Sequence, residues 1–250
     1  MYLTRAAAID GGIAQHTPAL TVNRQCGSGL QAIVSAAQAV LFGDAEIAVA
    51  GGAENMSRAP YAMPAARFGQ RMGDAKIVDM MLGALHDPFQ SIHMGVTTEN
   101  IAAKYGITRE AQGALALESH RRASHAVKSG YFKSQILPIE IGSKKGTVIF
   151  DTDEHVRHDA AAEDFSKLRP VFAKENGTVT AGNASGINDA VAAVTLMERR
   201  VAEARGLKPL ARLVSYARTR ASIRRTWGSA PCRLRARHWS GQASRLLIST

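Results

Sequence analysis

A chain of 250 residues, 46% of them hydrophobic, is long enough for one large domain or two small ones. It contains no uninterrupted apolar run of membrane-spanning length and no basic-then-apolar signal pattern at its start, so we expect a cytoplasmic protein with no membrane partner. Of its net charge of +10, eight arginines after residue 217 carry +8, and the preceding residues hold 23 basic and 21 acidic side chains, which argues against a nucleic-acid-binding body.

Hydrophobic spacing in the first 55 residues predicts alternating helices and strands. Residues 1–15 have the pattern of a helix, and residues 19–22 that of a short strand. A long helix follows Cys26, because apolar residues recur there at three- and four-residue steps. Residues 47–50 form the next predicted strand. The strand-helix-strand order predicts an α/β fold with a parallel sheet.

The rest of the chain contains further helix and hairpin signals. Thr108 is a predicted N-cap, since a helical pattern begins directly after it and an acidic residue lies in its first turn. Lysines and a glycine separate two short β-branched runs, which is typical of a hairpin. The predicted elements are a helix at 108–129, a hairpin with strands 139–141 and 148–150, a helix at 186–203 and a strand at 210–216.

Cys26 is the candidate nucleophile. It lies at or just before the N-terminus of the long helix, where backbone N–H groups and the helix dipole favour a thiolate, the reactive form of cysteine. Gly27 and Gly29 place no side chains beside the sulfur. An acyl group could therefore approach it, and backbone N–H groups could face a developing oxyanion.

Two alternatives apply to the same segment. A single cysteine before a helix is often a small buried hydrophobic residue. Residues 27–32 also fit the loose dinucleotide-binding pattern G-x-G-x-x-A. The acidic partner of that pattern should end the next strand, but Glu46 precedes the strand at 47–50, which disfavours a dinucleotide site. The two cysteines of the chain, Cys26 and Cys232, are too few for a disulfide framework and fit a reducing compartment.

Five segments, in order, resemble the sequence blocks of the thiolase family. The segment around Cys26, N-R-Q-C-G-S-G-L-Q-A, resembles the nucleophile motif of that family. The similarity extends from near the N-terminus to about residue 217. The other matching segments are V-A-G-G-A-E-N-M-S at 49–57, M-G-V-T-T-E-N at 94–100, K-L-R-P at 167–170 and G-T-V-T-A-G-N-A-S-G-I-N-D at 177–189.

The resemblance implies an α/β, thiolase-like fold: an incomplete N-terminal core domain with an inserted loop domain and only the start of the C-terminal core domain. The implied divisions are the N-terminal core at 1–55 and 182–207, the loop domain that covers coenzyme A at 56–181, the first strand of the C-terminal core at 208–217, and a basic tail at 218–250.

The resemblance also implies an acyl-CoA C-acyltransferase. Cys26 would form an acyl thioester, and the acyl group would then enter a Claisen condensation or arise from thiolytic cleavage of a 3-ketoacyl-CoA. Coenzyme A would be a substrate, with no metal or redox cofactor. The expected partners are acyl-CoA substrates and further copies of the chain in a dimer or tetramer, with no nucleic acid. The alternative is a catalytically inactive family member that only binds coenzyme A or a partner subunit.

Several positions match coenzyme A contacts of the family. Asp164 stands where some members have a serine contact, so that contact is not expected here. His155 and His158, with nearby aspartates, could mimic a metal site, but a solvated loop is favoured because no third ligand has suitable spacing. The implied coenzyme A contacts are His93, Met94, Arg157, Phe172, Ala181 and Ser185.

Three late motifs of the family, N-E-A-F, G-H-P and C-x-G-x-G, do not occur in this sequence. They carry the base that deprotonates the nucleophile and the acid/base for the second substrate, and Cys232 matches neither role. The chain also lacks the strand-helix-strand segment with which thiolases begin, so we expect it to be truncated at both ends relative to the family. Its composition changes abruptly after residue 217, which we interpret as a shifted reading frame that produces a disordered basic tail.

Overall fold

The computed structural model describes residues 2–217, and the predicted basic tail lies outside them. These residues divide into two compact units, one formed by residues 2–59 and 188–217 and the other by residues 60–187. Among the described residues, no helix is both long enough and apolar enough to cross a membrane.

The first unit is built on a two-stranded sheet with helix α2 packed against it. The sheet is antiparallel and continuous over nine residue pairs, from Ile47 opposite Met197 to Asn55 opposite Asp189. Small side chains form its buried centre, among them Ala37, Ala50 and Ala202. The elements of this unit are α1 (Leu3–Asp10), α2 (Ser28–Leu41), β1 (Ile47–Asn55), β6 (Asp189–Met197) and α7 (Arg199–Ala204).

In the first part of this unit, the structure confirms the helices predicted from the sequence but not the predicted sheet. The predicted helices near the N-terminus and after Cys26 are confirmed as α1 and α2, and the predicted strand at 47–50 is confirmed within β1. The prediction of a parallel sheet is wrong, since β1 pairs with β6 in antiparallel orientation. Residues 19–22 form no strand, because no strand among residues 2–217 pairs with them.

Two later predictions are also wrong. Residues 186–203 form β6 followed by the short helix α7 rather than one helix. Their alanines and valines fit both periods, and pairing of all nine residues of β6 with β1 outweighs local helix propensity. Residues 210–216 alternate like a strand but have no ladder partner in the described part of the chain. A side-chain contact reaches this segment instead: Gln38 Nε2 donates to the Tyr216 hydroxyl at 2.7 Å.

The second unit contains most of the helices found within residues 2–217. The predicted helix after Thr108 is confirmed as α5, and the Thr108 hydroxyl accepts from the N–H of Ala111 at 3.2 Å. The predicted hairpin is confirmed as β4 and β5, with Gly146 at φ 123°. The elements of this unit are β2 (Tyr61–Ala62), a 3-10 helix (Ala66–Phe68), β3 (Val78–Asp79), α3 (Met80–Ala84), α4 (Met94–Tyr105), α5 (Arg109–Lys128), β4 (Ile139–Ser143), β5 (Gly146–Phe150) and α6 (Ala162–Ser166).

Candidate functional site

Cys26 lies on a tight turn that leads into α2, in the first unit. Its side chain is exposed, and Gly27 is the N-cap of the helix. Gln25, directly before it, has a φ of 52°, a left-handed conformation that costs a non-glycine residue about 1 kcal/mol or more. The turn therefore presents the thiol to solvent at a helix N-terminus, as the sequence predicts, with backbone strain beside it that the sequence gives no sign of.

The Ser28 hydroxyl holds this strained turn together. It donates to the carbonyl of Gln25 at 2.6 Å and accepts from the N–H of Arg24 at 2.8 Å. The N–H of Gly27 donates to the carbonyl of Arg24 at 3.1 Å. Sequence reasoning did not identify Ser28 as a site residue. Its place two residues after the candidate nucleophile, at the start of a helix, is the signal that could have found it.

The glycine pair of β1 permits close packing on two sides, with Gly52 against α2 and Gly51 against β6. A Cβ on Gly52 would lie 3.4 Å from the Cα of Gly29, and a Cβ on Gly51 would lie 2.8 Å from the carbonyl oxygen of Ala192. The first turn of α2 therefore lies almost directly on the strand. Gly52 therefore serves the packing of α2 on β1 beside the Cys26 turn, whereas Gly51 serves the pairing of β1 with β6.

A polar contact between Ser57 and Asp189 lies at the end of the β1–β6 ladder. The Asp189 carboxylate accepts from the N–H of Ser57 at 2.9 Å and from its hydroxyl. Both hydrogen bonds favour the charged form, the hydroxyl more strongly, and they hold the pKa of Asp189 below its ordinary value. Two of the matched sequence blocks, one ending in Ser57 and the other in Asp189, therefore meet in space.

His93 caps helix α4 in the second unit. Its Nδ1 accepts from the N–H of Gly95 at 3.0 Å, which requires an unprotonated Nδ1. Its ring stacks on Phe172 with centroids 4.7 Å apart and an angle of 18° between planes, and the His86 ring meets it edge-on at 5.0 Å. Burial first, and then the nearby His86, lower the pKa of His93. The structure thus brings together two of the predicted coenzyme A contacts, His93 and Phe172.

Gly95 makes room for the Phe172 ring. A Cβ on Gly95 would lie 2.1 Å from Cε2 of Phe172, so only glycine fits the present arrangement. Gly95 is buried in the first turn of α4, and Met94, a predicted contact, is the half-buried residue between it and His93. Gly95 therefore packs directly against the Phe172 ring of the His93–Phe172 stack, and Met94 adjoins it in the chain.

Arg157 lies beside a different helix of the same unit. Its N–H donates to Nδ1 of His120 on α5 at 3.2 Å, while its side chain is exposed. The neighbouring His158 pairs with the buried Ser124 hydroxyl at 2.8 Å. Burial, followed by His155 and Arg157, lowers the pKa of His120. Within residues 2–217, no hydrogen bond, ion pair or ring contact joins Arg157 to His93, Met94 or Phe172.

Ala181 and Ser185 lie in an exposed turn that follows the buried residue Thr180. The Asn183 side chain shapes this turn, since its Oδ1 accepts from the N–H of Thr180 at 2.7 Å and its Nδ2 donates to the carbonyl of Thr178 at 2.9 Å. Asn183 is a second residue that sequence reasoning did not single out.

The pair His155 and His158 has no metal-binding arrangement. Among the residues that the structure describes, no group of three or more histidine, cysteine, aspartate or glutamate side chains is placed to hold a metal ion. His155 instead stacks on His120 with ring centroids 6.0 Å apart, and His158 is engaged by Ser124.

Comparison with known proteins identifies the class. Residues 1–200 match the family model described as "Thiolase, N-terminal domain". The chain therefore belongs to the thiolase family and has a thiolase-like α/β fold. It is 70% identical over 216 residues to the beta-ketothiolase BktB of Cupriavidus necator, a match that covers 86% of this chain and 55% of that protein.

Other relatives have the same extent of overlap. An acetyl-CoA acetyltransferase of Chromobacterium violaceum is 52% identical over 217 residues, covering 86% of this chain and 55% of that protein. The crystal structure of human mitochondrial 3-ketoacyl-CoA thiolase in complex with CoA matches at 41% identity with a TM-score of 0.77, covering 84% of this chain and 52% of that one. The chain thus spans about half the length of the relatives it matches.

Proposed function

We propose that this chain carries the nucleophile and part of the coenzyme A site of a thiolase, an acyl-CoA C-acyltransferase. The observation that carries the proposal is the Cys26 turn: an exposed thiol at the start of α2, held by Ser28 beside a left-handed Gln25, in a member of the thiolase family. A helix N-terminus favours a thiolate and can stabilise a developing oxyanion.

The first half-reaction is a thioester exchange. The Cys26 sulfur attacks the carbonyl carbon of an acyl-CoA, the bond from that carbon to the coenzyme A sulfur breaks, and an acyl-Cys26 thioester forms. The thiol proton of Cys26 ends on the sulfur of the departing coenzyme A. In condensation, a second acyl-CoA would lose a proton from its α-carbon, and that carbon would attack the acyl-Cys26 carbonyl; the bond to sulfur would break and release the Cys26 thiol and a 3-ketoacyl-CoA. In the reverse direction, Cys26 would attack the 3-keto carbon, the adjacent carbon–carbon bond would break, and the departing acyl-CoA would take up a proton on its α-carbon.

Coenzyme A would bind along the second unit. The support is the stacked pair His93 and Phe172, the adjacent Met94, and the turn that carries Ala181 and Ser185. The exposed Arg157 would contact phosphate, since its planar fork of donors suits phosphate oxygens. The human relative whose structure contains CoA adds support, because the match to it covers 84% of this chain.

A second candidate function is binding without turnover. No side chain within residues 2–217 forms a hydrogen bond with the Cys26 sulfur, and the sequence contains none of the family's G-H-P, N-E-A-F and C-x-G-x-G motifs. A nucleophile, its base and a second acid/base act as a unit, and loss of one can cost nearly as much as loss of all. We therefore expect at most slow acylation of Cys26 and negligible condensation or thiolysis.

Turnover of acetoacetyl-CoA separates the two candidates, because thiolysis consumes free coenzyme A and converts acetoacetyl-CoA into acetyl-CoA. Purified chain is mixed with acetoacetyl-CoA and free coenzyme A, and the products are followed over many turnovers, with Cys26→Ala as the control. Multiple turnovers at a rate typical of enzymes, lost in the Cys26→Ala variant, would establish a complete thiolase reaction. Binding of coenzyme A without turnover would favour the second candidate.

Association with further copies of the chain is part of the proposal. Several valines of the β1–β6 sheet are exposed, including Val191 at 74%, Val49 at 56% and Val194 at 47%. Apolar side chains exposed along a sheet favour association. Sedimentation velocity over a range of concentrations should show a dimer or tetramer, and a monomer at all concentrations would contradict this part.

A further inference from the structure

Residues 170–183, here named the 170–183 segment, fold back on themselves beside α4. Pro170 and Thr180 form an antiparallel bridge, and the N–H of Val171 donates to the carbonyl of Val179 at 3.0 Å. Near its turn, a Cβ on Gly177 would lie 2.5 Å from the Cβ of Pro170, so the two arms lie very close. The segment carries two predicted coenzyme A contacts, Phe172 on its first arm and Ala181 after its second.

Glu99 on α4 binds the second arm of this segment. Its carboxylate accepts from the N–H of Thr178 at 3.0 Å, from the Thr178 hydroxyl at 2.7 Å and from the N–H of Val179 at 2.9 Å. Within residues 2–217, Glu99 has no cationic partner. Three donors from one short stretch therefore balance the charge of a half-buried carboxylate.

The hydrogen bonds continue from Glu99 to the exposed turn. Thr178, held by Glu99 through its N–H and hydroxyl, also accepts from Asn183 Nδ2 through its carbonyl at 2.9 Å. Asn183 Oδ1 in turn accepts from the N–H of Thr180 at 2.7 Å. The chain of contacts thus runs from α4 through Thr178 to the turn that contains Ala181. The same helix is capped by His93, against which Phe172 stacks.

We propose that Glu99 is a positioning residue for coenzyme A: its carboxylate fixes the 170–183 segment on α4, so that Phe172 meets His93 and the Ala181 turn is preformed. This inference rests on the proposed function, because the coenzyme A contacts belong to that proposal. Glu99 itself has no predicted contact with substrate. Its effect on binding would pass through Thr178 and Asn183.

The charge of Glu99 is part of this role. Burial raises the pKa of Glu99, but the N–H of Val179, the hydroxyl of Thr178 and the N–H of Thr178 together outweigh burial and lower it. An amide in its place has one acceptor oxygen, and its NH₂ group would face backbone donors. Glu99→Gln therefore preserves shape but removes the charge and one of the two acceptor oxygens.

The test compares five forms of the full chain: wild type, Glu99→Gln, Glu175→Gln, Thr178→Val and Thr178→Ser. Glu175 is the matched control, because it lies in the same segment, is exposed and has no hydrogen bond or ion pair within the described residues. Coenzyme A affinity is measured by isothermal titration. Hydrogen exchange of the Val179 amide is measured as a protection factor from pH 7 down to pH 3, because the pKa of Glu99 is lowered from its ordinary value of 4.5.

We expect Glu99→Gln to weaken coenzyme A binding and Val179 protection by about tenfold, and Thr178→Val by a smaller factor, while Thr178→Ser and Glu175→Gln match the wild type. Wild-type protection should fall in acid as Glu99 becomes protonated, and this step should be absent in Glu99→Gln. If Glu99→Gln does not fold, the Thr178→Val and Thr178→Ser pair carries the test alone.

Two failures can be told apart. If the wild type and Glu175→Gln bind coenzyme A and Glu99→Gln or Thr178→Val binds it equally well, Glu99 has no positioning role and the inference alone is overturned. If the wild type binds no coenzyme A, the proposed coenzyme A site fails and the inference fails with it, even if Val179 protection still depends on Glu99.

Discussion

Replacing Gly95 by alanine tests the packing of the candidate coenzyme A site. The new Cβ would lie 2.1 to 2.3 Å from three atoms of the Phe172 ring. The ring would have to retreat by about 1 Å or more to reach an ordinary carbon–carbon distance of about 3.5 Å. That movement would pull Phe172 away from Gly95 and alter its stack on His93, now at 4.7 Å.

The expected cost follows from two opposing terms. Overpacking costs about 1–3 kcal/mol, whereas alanine in place of glycine in a helix gains at most about 1 kcal/mol. Gly95→Ala should therefore lower the free energy of unfolding by about 1–2 kcal/mol. Gly113 is the matched control on α5, because its added Cβ would lie an ordinary 3.7 Å from the Cβ of Phe165. Gly113→Ala should raise that free energy by about 0.5–1 kcal/mol.

Urea unfolding of both variants, followed by circular dichroism, measures these changes. A second arm places Gly95→Ala in a Phe172→Ala background. There the ring is absent, so the added methyl group should cost nothing, and the two substitutions should be coupled by about 1–3 kcal/mol. Equal stabilisation by Gly95→Ala and Gly113→Ala, or strict additivity with Phe172→Ala, would refute the contact on which this reasoning depends.

Three further predictions concern caps and turns. Burial and His86 lower the pKa of His93, so its contribution to stability is complete above about pH 6.5 and is lost as the pH falls toward the lowered value. Amide protection of Gly95 should fall over that range, and His93→Asn, whose oxygen accepts at every pH, should abolish the dependence. Ser28→Ala should destabilise the turn before α2 by about 1 kcal/mol and alter the rate at which the Cys26 thiol is alkylated. An unchanged midpoint of urea unfolding would contradict this prediction. Thr108→Ala should cost about 1 kcal/mol in urea unfolding and Thr108→Ser almost nothing, whereas equal losses would exclude the cap.

Local signals predicted the helices α1, α2 and α5 and the β4–β5 hairpin correctly. The helices α2 and α5 follow from apolar spacing and from a recognisable start, and the β4–β5 hairpin follows from a glycine between two β-branched runs. Each of these signals lies within the element itself. The position of the candidate nucleophile at a helix start could be predicted for the same reason, since Cys26 lies just before the N-cap of a strongly periodic helix.

The errors arise where distant residues decide the structure. Strand β6 pairs with β1, more than 130 residues earlier, and its alanines and valines suit a helix equally well on local grounds. The donors bound by Glu99 lie 79 and 80 residues further along the chain. The left-handed conformation of Gln25 could not be predicted either, because the residue is not a glycine. Contacts of this kind appear only after the chain has folded.

Intact-mass analysis after incubation with acetyl-CoA tests the central claim, that Cys26 is the acyl-accepting nucleophile of this thiolase-family chain. Wild type, Cys26→Ser and Cys232→Ser are compared at equal times, so that each of the two cysteines in the sequence is removed in turn. The account predicts one acetyl group on the wild type and on Cys232→Ser, and none on Cys26→Ser. Equal acetylation of Cys26→Ser and the wild type, or no acetylation of any form, would contradict it.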